Sequence, residues 1–176
     1  RDYNSDALQQ NAGIGQYAPS QGSFGINAGY KGFELQAMFY YALGKHLINN
    51  DGYYFQNANV YPVGFNAFKD VQDYWKKPGD VARFPDINNY QMTQFDSSLL
   101  ENASFMRLKD LTISYTLPDA LLAHTKVIKG IKLFVEGRNL FTITKYTGPD
   151  PEIDSNLSYG EYPDTKQYSF GVRATL

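Results

Sequence analysis

Hydrophobic and polar positions alternate along two neighbouring stretches, 22–30 and 33–43, which are separated by Lys31-Gly32. A two-residue turn pairs positions whose numbers have a constant sum, so the sequence predicts a β-hairpin with one apolar and one polar side. The apolar pairs are Tyr30 with Phe33, Ala28 with Leu35, Ile26 with Ala37 and Phe24 with Phe39; the others are Gly29 with Glu34, Asn27 with Gln36 and Gly25 with Met38. An aromatic-rich apolar side backed by a polar one is typical of membrane-spanning β-strands.

Three more strands follow from the same period of two. They are predicted at 105–117, 131–146 and 164–176. The second of them loses its alternation at Gly137-Arg138-Asn139, which indicates a β-bulge.

The segments between the strands differ in length. Residues 119–130 form a compact connector with one helical turn after Pro118, which ends a strand. The segment 45–104 is too long for a simple connection, so we expect it to pack on itself around a short helix at 66–75.

Composition excludes several function classes. The chain has 176 residues and a net charge of -2, which gives no reason to expect nucleic-acid binding. It has no cysteine, so it has no disulfide, thiolate metal site or cysteine nucleophile. Its aromatic content of 16% suits rings at a bilayer boundary or stacking on flat ligands. No signal peptide precedes Arg1, so for an exported protein we expect the start of the gene product to lie elsewhere or to have been removed.

Loop lengths predict an orientation, because membrane barrels have short periplasmic turns and long external loops. The hairpin 22–44 and the 119–130 connector then turn in the periplasm. Residues 1–21, 45–104 and 147–163 are then expected to be extracellular. Five strands are too few to close a membrane barrel, which needs at least about eight. We therefore expect an all-β antiparallel barrel segment that is part of a larger wall.

Five blocks of sequence occur in order along the chain. The longest block is 102–118, NASFMRLKDLTISYTLP. The others are YKGFEL at 30–35, WKKPGD at 75–80, NLFTITKY at 139–146 with Asp150-Pro151-Glu152, and Tyr162-Pro163. Together these blocks resemble SusC/RagA-type TonB-dependent outer-membrane transporters. The resemblance covers nearly all of this chain but about the last fifth of such a transporter.

That resemblance implies a barrel of about 22 strands around a plug, of which these are the last five. It implies TonB-driven import of oligosaccharides or oligopeptides across the outer membrane of a Gram-negative bacterium. It also implies that the long extracellular loops contact a SusD-like surface lipoprotein, and that TonB acts through the N-terminal part of the transporter, which is not among these 176 residues. No enzymatic activity, cofactor or nucleic acid is implied.

The strand pattern assigns wall residues to two sides. The lumen-facing positions are Glu34, Gln36, Met38, Glu136 and Arg138, with an ion pair expected between the last two. The lipid-facing or belt positions are Tyr30, Phe33, Phe39, Tyr41, Tyr115 and Phe170, and Tyr40, Tyr146 and Tyr168 also fall near strand ends.

The long segment 45–104 carries the candidate substrate-binding residues. Trp75 and Tyr74 either stack on a substrate or form the core of the loop. Arg83 and Asp80 either bind a charged substrate or pair with each other.

The sequence patterns that would indicate metal binding or catalysis are weaker than those that predict the strands. Asp150, Glu152, Asp154, Asn156 and Glu161 match a calcium-loop spacing, but Ser155 stands where that loop needs glycine, so a solvated acidic loop without metal is favoured. His46 and His124 lie in connectors without a nucleophile or carboxylate at a recognisable spacing, so we expect surface histidines and no enzyme.

Two alternatives stay open. A soluble or surface-anchored β-sandwich that binds glycans would bury one side of each strand against a second sheet. A passive porin or adhesin barrel would share the strands but have no plug.

Overall fold

The computed structural model describes residues 11–15, 17–56, 66–87, 97–123, 127–155, 157–158 and 160–176. The chain divides into two compact units. The sheet unit consists of Pro19–Leu43, Ser104–Thr144 and Pro163–Leu176, and the loop unit of Arg1–Ala18, Gly44–Ala103 and Lys145–Tyr162. Among the described residues, no helix is both long and apolar enough to cross a membrane.

The elements in chain order are β1 (Ser20–Tyr30), β2 (Phe33–Leu43), β3 (His46–Ile48), α1 (Asn50–Phe55), 3-10 turns at Lys69–Gln72 and Ser97–Leu99, β4 (Leu100–Asn102), β5 (Phe105–Thr116), α2 (Asp119–Leu122), β6 (Gly130–Thr144) and β7 (Gln167–Thr175). The sheet unit is one antiparallel sheet with the order β1-β2-β5-β6-β7. In the described part of the chain β1 and β7 each pair on one side only, so the sheet is open, as expected for part of a barrel.

The hairpin between β1 and β2 has the predicted register, from Tyr30 opposite Phe33 to Phe24 opposite Phe39. Its turn residues Lys31 and Gly32 have φ angles of 47° and 88°, the left-handed conformation that a two-residue hairpin turn requires. A Cβ on Gly32 would lie 2.9 Å from the Thr116 carbonyl oxygen. Glycine is therefore required here both by backbone conformation and by space.

The predicted bulge is present in β6. Leu108 of β5 pairs with Phe141, whereas Asp110 pairs with Arg138, so Asn139 and Leu140 together oppose the single residue Lys109. Asn139 has a φ of 51°, a conformation that asparagine tolerates better than most residues. The register of β5 against β2 also shifts at this level. Side chains of β5 therefore change faces on passing Lys109.

Two long excursions leave the sheet at one end. β2 and β6 end there and β5 and β7 begin there, opposite the Lys31-Gly32 turn. The strands differ from their predicted bounds by a few residues. β7 begins at Gln167 rather than 164, and Tyr146 lies beyond the end of β6.

The loop unit has its own small core. β3 and β4 pair as an antiparallel ribbon, and Ile48 forms a parallel bridge with Leu157 from the second excursion. Four side chains from distant parts of the chain form a buried apolar cluster: Leu47, Ala103, Tyr146 and Ile153. Both long excursions therefore contribute to one packed structure.

The predicted helix at 66–75 is wrong. Only the 3-10 turn at Lys69–Gln72 forms, because the Trp75 amide donates to the Phe84 carbonyl and the Phe84 amide to the Asp73 carbonyl, which holds residues 73–75 extended. A helix lies instead at α1, where the Asn49 side chain accepts a 3.0 Å hydrogen bond from the Gly52 amide. Asn49 is therefore an N-cap, which satisfies an otherwise unpaired amide of the first helical turn.

Candidate functional site

One side of the sheet, which we call the polar face, carries all five residues predicted to face the lumen. The register aligns Met38 with Asp110 and Asp110 with Arg138 across three strands. One level on, Gln36 aligns with Thr112 and Thr112 with Glu136. The polar face therefore runs continuously from β2 to β6.

Ion pairs cross the strands on the polar face. Lys132 Nζ lies 2.5 Å from Glu34 Oε2, although β5 separates their strands. Arg138 Nε lies 2.8 Å from Glu136 Oε1 and 3.2 Å from Asp110 Oδ1, so the expected Arg138–Glu136 contact is part of a three-residue network. These side chains are partly exposed, so their electrostatic contribution is screened and small for each pair. Their arrangement still leaves a hydrophilic surface.

The other side of the sheet, the apolar face, is exposed. Phe24 and Phe39 stack with ring centroids 5.1 Å apart, and the rings of Phe33 and Tyr115 lie 4.4 Å apart. These contacts do not remove the face from solvent, since Phe170 is 88% exposed. The large exposed side chains of this face are Phe24, Ile26, Tyr30, Phe33, Leu35, Ile113, Leu133, Val135, Phe141, Ile143, Tyr168, Phe170 and Val172. A contiguous exposed apolar surface marks a membrane or interaction surface.

The expected aromatic belt is only partly at the strand ends. Tyr30, Phe33, Tyr41 and Tyr115 lie on the apolar face near strand ends, while Phe39 and Phe170 occupy the middle of their strands. Tyr40 is on the polar face, where its ring lies 5.7 Å from that of Phe105 and its hydroxyl donates to Gln21. Tyr146 is buried in the loop unit, and burial raises the pKa of its phenol.

Sequence reasoning missed Arg107, a cation that is only 4% exposed. Its Nε donates to Thr142 Oγ1 at 2.8 Å, and its Nη1 lies 3.0 Å from Asp164 Oδ2. Lys109 Nζ approaches the same carboxylate at 3.5 Å. If the alternation of β5 continued without interruption back from Leu111, Arg107 would lie on the apolar face. A charged residue at an expected apolar position was therefore the sequence signal for a register shift.

The four candidate substrate-binding residues lie within residues 73–84 of the loop unit, a bridged segment that we call the 73–84 ribbon. Tyr74 bridges to Phe84, and Lys76 Nζ lies 5.0 Å from the centre of the Tyr74 ring. Trp75 is half-buried beside this bridge. The ribbon therefore brings Tyr74, Trp75 and Arg83 to adjacent positions.

Arg83 and Asp80 have different partners rather than each other. Arg83 Nη1 lies 3.1 Å from Asp70 Oδ2, and the guanidinium sits 5.2 Å from the centre of the Phe84 ring. Asp80 Oδ2 accepts hydrogen bonds from the backbone amides of Lys76 and Lys77 and thereby closes the turn. Asp80 thus has a structural role in the ribbon.

A partly buried polar network joins three segments of the loop unit. Glu101 Oε1 accepts a 2.9 Å hydrogen bond from Asn49 Nδ2, and Glu101 Oε2 accepts a 2.8 Å bond from the Thr147 amide. Nearby, the Asn50 amide donates to Ser158 Oγ at 3.1 Å. The sequence contained the NNDG motif at 49–52, but the partners on the other excursion are distant in sequence.

A lysine lies against the acidic segment that matched the calcium-loop spacing. Lys45 Nζ donates a 2.6 Å hydrogen bond to the Ile153 carbonyl. Burial lowers the pKa of the Lys45 ammonium, while the carboxylates of Asp154, Glu152 and Asp150 oppose that shift. Asp150 is 6% exposed and accepts a hydrogen bond from the Glu152 amide, so this part of the segment is packed rather than solvated. Within the described residues, no group of three or more histidine or carboxylate side chains is placed to hold a metal.

His46, the histidine that the structure describes, has no nucleophile or carboxylate among its hydrogen-bond partners. His46 belongs to β3, is half-buried, and its Nδ1 lies 3.0 Å from the Gly44 carbonyl oxygen. His124 lies outside the described residues.

Known proteins similar to this chain are TonB-dependent receptors. TonB-dependent receptor P3 of Formosa agariphila is 28% identical over 158 residues, which are 81% of this chain and 15% of that protein. TonB-dependent receptor SusC of Bacteroides thetaiotaomicron is 32% identical over 75 residues, which are 42% of this chain and 7% of that protein. No protein-family model matches the chain.

Solved structures agree with these relatives. The RagAB peptide importer in its open-open state superposes with a TM-score of 0.86 and 38% identity, over 98% of this chain and 19% of that chain. Its closed-closed state gives a TM-score of 0.77 and 40% identity over 88% of this chain. The chain thus spans about a fifth or less of the length of the proteins that it matches. In sequence and in fold the chain is therefore similar to a part of the SusC/RagA-type TonB-dependent transporters, and the proteins that it matches are named as receptors and importers.

Proposed function

We propose that this chain forms part of the wall and the extracellular loops of a TonB-dependent importer of oligosaccharides or oligopeptides. The sheet supports this proposal most directly, since it has an exposed apolar face, a charged polar face and two edges that pair with no further strand among the described residues. Hydrocarbon tolerates such a sheet only when its edges are paired by further strands. A β-sandwich would need a second sheet over the apolar face, and none covers it in the described residues.

The proposed orientation places the Lys31-Gly32 turn in the periplasm and the loop unit outside the cell. In that orientation the loop unit contacts substrate and a SusD-like surface lipoprotein, while TonB acts through a plug elsewhere in the transporter. The name of the RagAB peptide importer supports an oligopeptide, and kinship with SusC keeps an oligosaccharide as the second candidate.

Residue roles follow from this proposal. Glu34, Gln36, Met38, Glu136 and Arg138 face the lumen, and the apolar-face aromatics face lipid. Tyr74, Trp75 and Arg83 are the proposed substrate contacts, because they share one ribbon with exposed cationic and aromatic groups. Asp80 supports that ribbon through its backbone contacts.

The test is uptake by the intact transporter in its outer membrane. A strain lacking the transporter is compared with the complemented strain on labelled oligopeptides and labelled oligosaccharides. Uptake of one class that requires both the transporter and TonB supports the proposal and selects the substrate class. Uptake that persists without TonB supports a passive porin. A 176-residue chain that purifies as a stable monomer without detergent would contradict the membrane wall and favour the soluble sandwich.

A further inference from the structure

Arg173 on β7 is the one cation of the described polar face without an acidic partner. Lys132 is matched by Glu34, and Arg138 is matched by Glu136 and Asp110. These carboxylates are thereby engaged. No described carboxylate lies within ion-pair distance of Arg173, which is exposed.

The strand register places the Arg173 side chain beside another cation. Arg173 stands directly opposite Lys132 on β6, and like charges directly opposite in a sheet repel each other. Glu136 is four residues further along β6, which is roughly 13 Å away at the rise of a strand. Between the two levels lies the pair Phe134 and Gly171.

Phe134 lies on β6 between the level of Arg173 and that of Glu136. Its ring covers Gly171, since a Cβ added there would lie 2.6 Å from the ring Cζ. The aromatic ring thus fills the space that a side chain at 171 would need, and leaves an apolar surface beside the two cations. A recess of about 320 Å³ is lined here by Phe134, by the cations Lys132 and Arg173, and by Glu34 and Glu136, whose carboxylates already pair with Lys132 and Arg138.

We infer that an aspartate or glutamate side chain of another segment of the same transporter, lying against the polar face, binds in this recess and pairs with Arg173. A carboxylate would neutralise the repulsion between Arg173 and Lys132, and its methylene groups would pack on the Phe134 ring. The inference rests on the proposed function, in which most of the transporter lies outside these 176 residues. The recess is at the end of the sheet near the Lys31-Gly32 turn, opposite the strand ends Leu43 and Thr144 that lead into the excursions, which favours a segment of the protein over a substrate carboxylate.

Charge reversal in the complete transporter tests the pairing. Arg173→Glu is expected to lower uptake by about tenfold or more, because an acid would face the partner acid, whereas Arg173→Lys retains uptake. Arg173→Gln gives an intermediate loss. Asn27→Asp is the matched control for Arg173→Gln. It also lowers the net charge of the polar face by one, but at a position on β1. The amount of transporter in the outer membrane is measured for each variant, so that a folding defect is not read as a transport defect.

Second-site changes then identify the partner. Changing one Asp or Glu outside these 176 residues to Arg is expected to restore uptake to Arg173→Glu. Normal uptake by Arg173→Glu would overturn the inference, and so would rescue only by changes within these residues. A loss confined to anionic substrates would also overturn it, because the carboxylate would then belong to the substrate. If the wild-type transporter imports nothing, the proposed function fails, and photocrosslinking from position 173 in the purified transporter still tests the contact: a crosslink to an acidic segment supports it, and the lack of one overturns it.

Discussion

The sheet unit and the loop unit are organised by different physical rules. In the sheet unit, alternate side chains face opposite sides, so one face is apolar and exposed while the other carries crossed ion pairs. In the loop unit, buried polar groups such as Asn49 join segments that are far apart in sequence. The sheet therefore depends on its surroundings to bury its apolar face, whereas the loop unit buries its own core.

The largest expected loss of stability comes from placing a charged side chain on the apolar face of the sheet. Phe170→Arg in the complete transporter should destabilise the folded barrel by about 2–4 kcal/mol, because a cation would face hydrocarbon at mid-strand. Ser169→Arg, the adjacent position on the polar face opposite Glu136, is the matched control. Denaturant unfolding in lipid vesicles measures both variants. Equal destabilisation by the two changes would contradict the assignment of faces.

The next largest loss of stability is expected from a substitution in the hairpin turn. Gly32→Ala should cost about 1–3 kcal/mol, because an alanine must adopt a positive φ with its Cβ against the Thr116 carbonyl. Gly29→Ala is the control, since its Cβ would meet nothing closer than 3.7 Å. Unfolding of both variants in vesicles gives the comparison. A Gly32→Ala protein as stable as Gly29→Ala would disprove the requirement for glycine in the turn.

Within the loop unit, Asn49→Ala removes the cap of α1 and a bond to Glu101. We expect a loss of about 1–3 kcal/mol confined to the loop unit. Hydrogen exchange should quicken in segments 45–56 and 145–155 and stay unchanged in β1 and β2. Asn66→Ala, at an exposed position of the same unit, is the control. Faster exchange throughout the sheet would show that the units do not open separately.

The smallest expected effect is a pH dependence from Lys45. Burial lowers the pKa of this lysine below its ordinary 10.5, so between the two values the unfolded chain binds more protons than the folded one. The stability of the loop unit should therefore rise with pH in that window. Tyr146 acts in the opposite direction above pH 10, because its pKa is raised. Hydrogen exchange of the loop unit is measured at several pH values for the wild type and for Lys45→Met, and the difference between the two isolates the contribution of Lys45. A difference that does not change with pH would contradict this prediction.

The strands and register of the sheet were predictable because a one-residue slip would move every side chain to the wrong face. The hairpin pairs and the bulge at Asn139 followed from this rule, and so did the polar-face positions of the predicted lumen-facing residues. Tyr40 and Tyr146 did not follow it, because Tyr40 lies on the polar face and Tyr146 is buried beyond the end of β6. Arg107 was missed because the register shift at Lys109 changes the face of the residues before it.

The loop unit could not be predicted in the same way. The pattern at 66–75 favoured a helix, but hydrogen bonds to Phe84 hold its end extended. The acidic segment matched a calcium spacing, yet Lys45, more than a hundred residues earlier, supplies the positive charge there. Local periodicity carries no information about such distant partners.

The central claim is that the apolar face meets lipid and the polar face meets water. These 176 residues contain no cysteine, so a single cysteine can be introduced at 168, 169, 170, 172, 173 or 174 of a complete transporter that has no other cysteine, and labelled with a fluorophore in the membrane. We predict that a lipid-soluble quencher acts on positions 168, 170, 172 and 174, and a water-soluble quencher on 169 and 173. Equal access of the water-soluble quencher to all six positions would contradict the account.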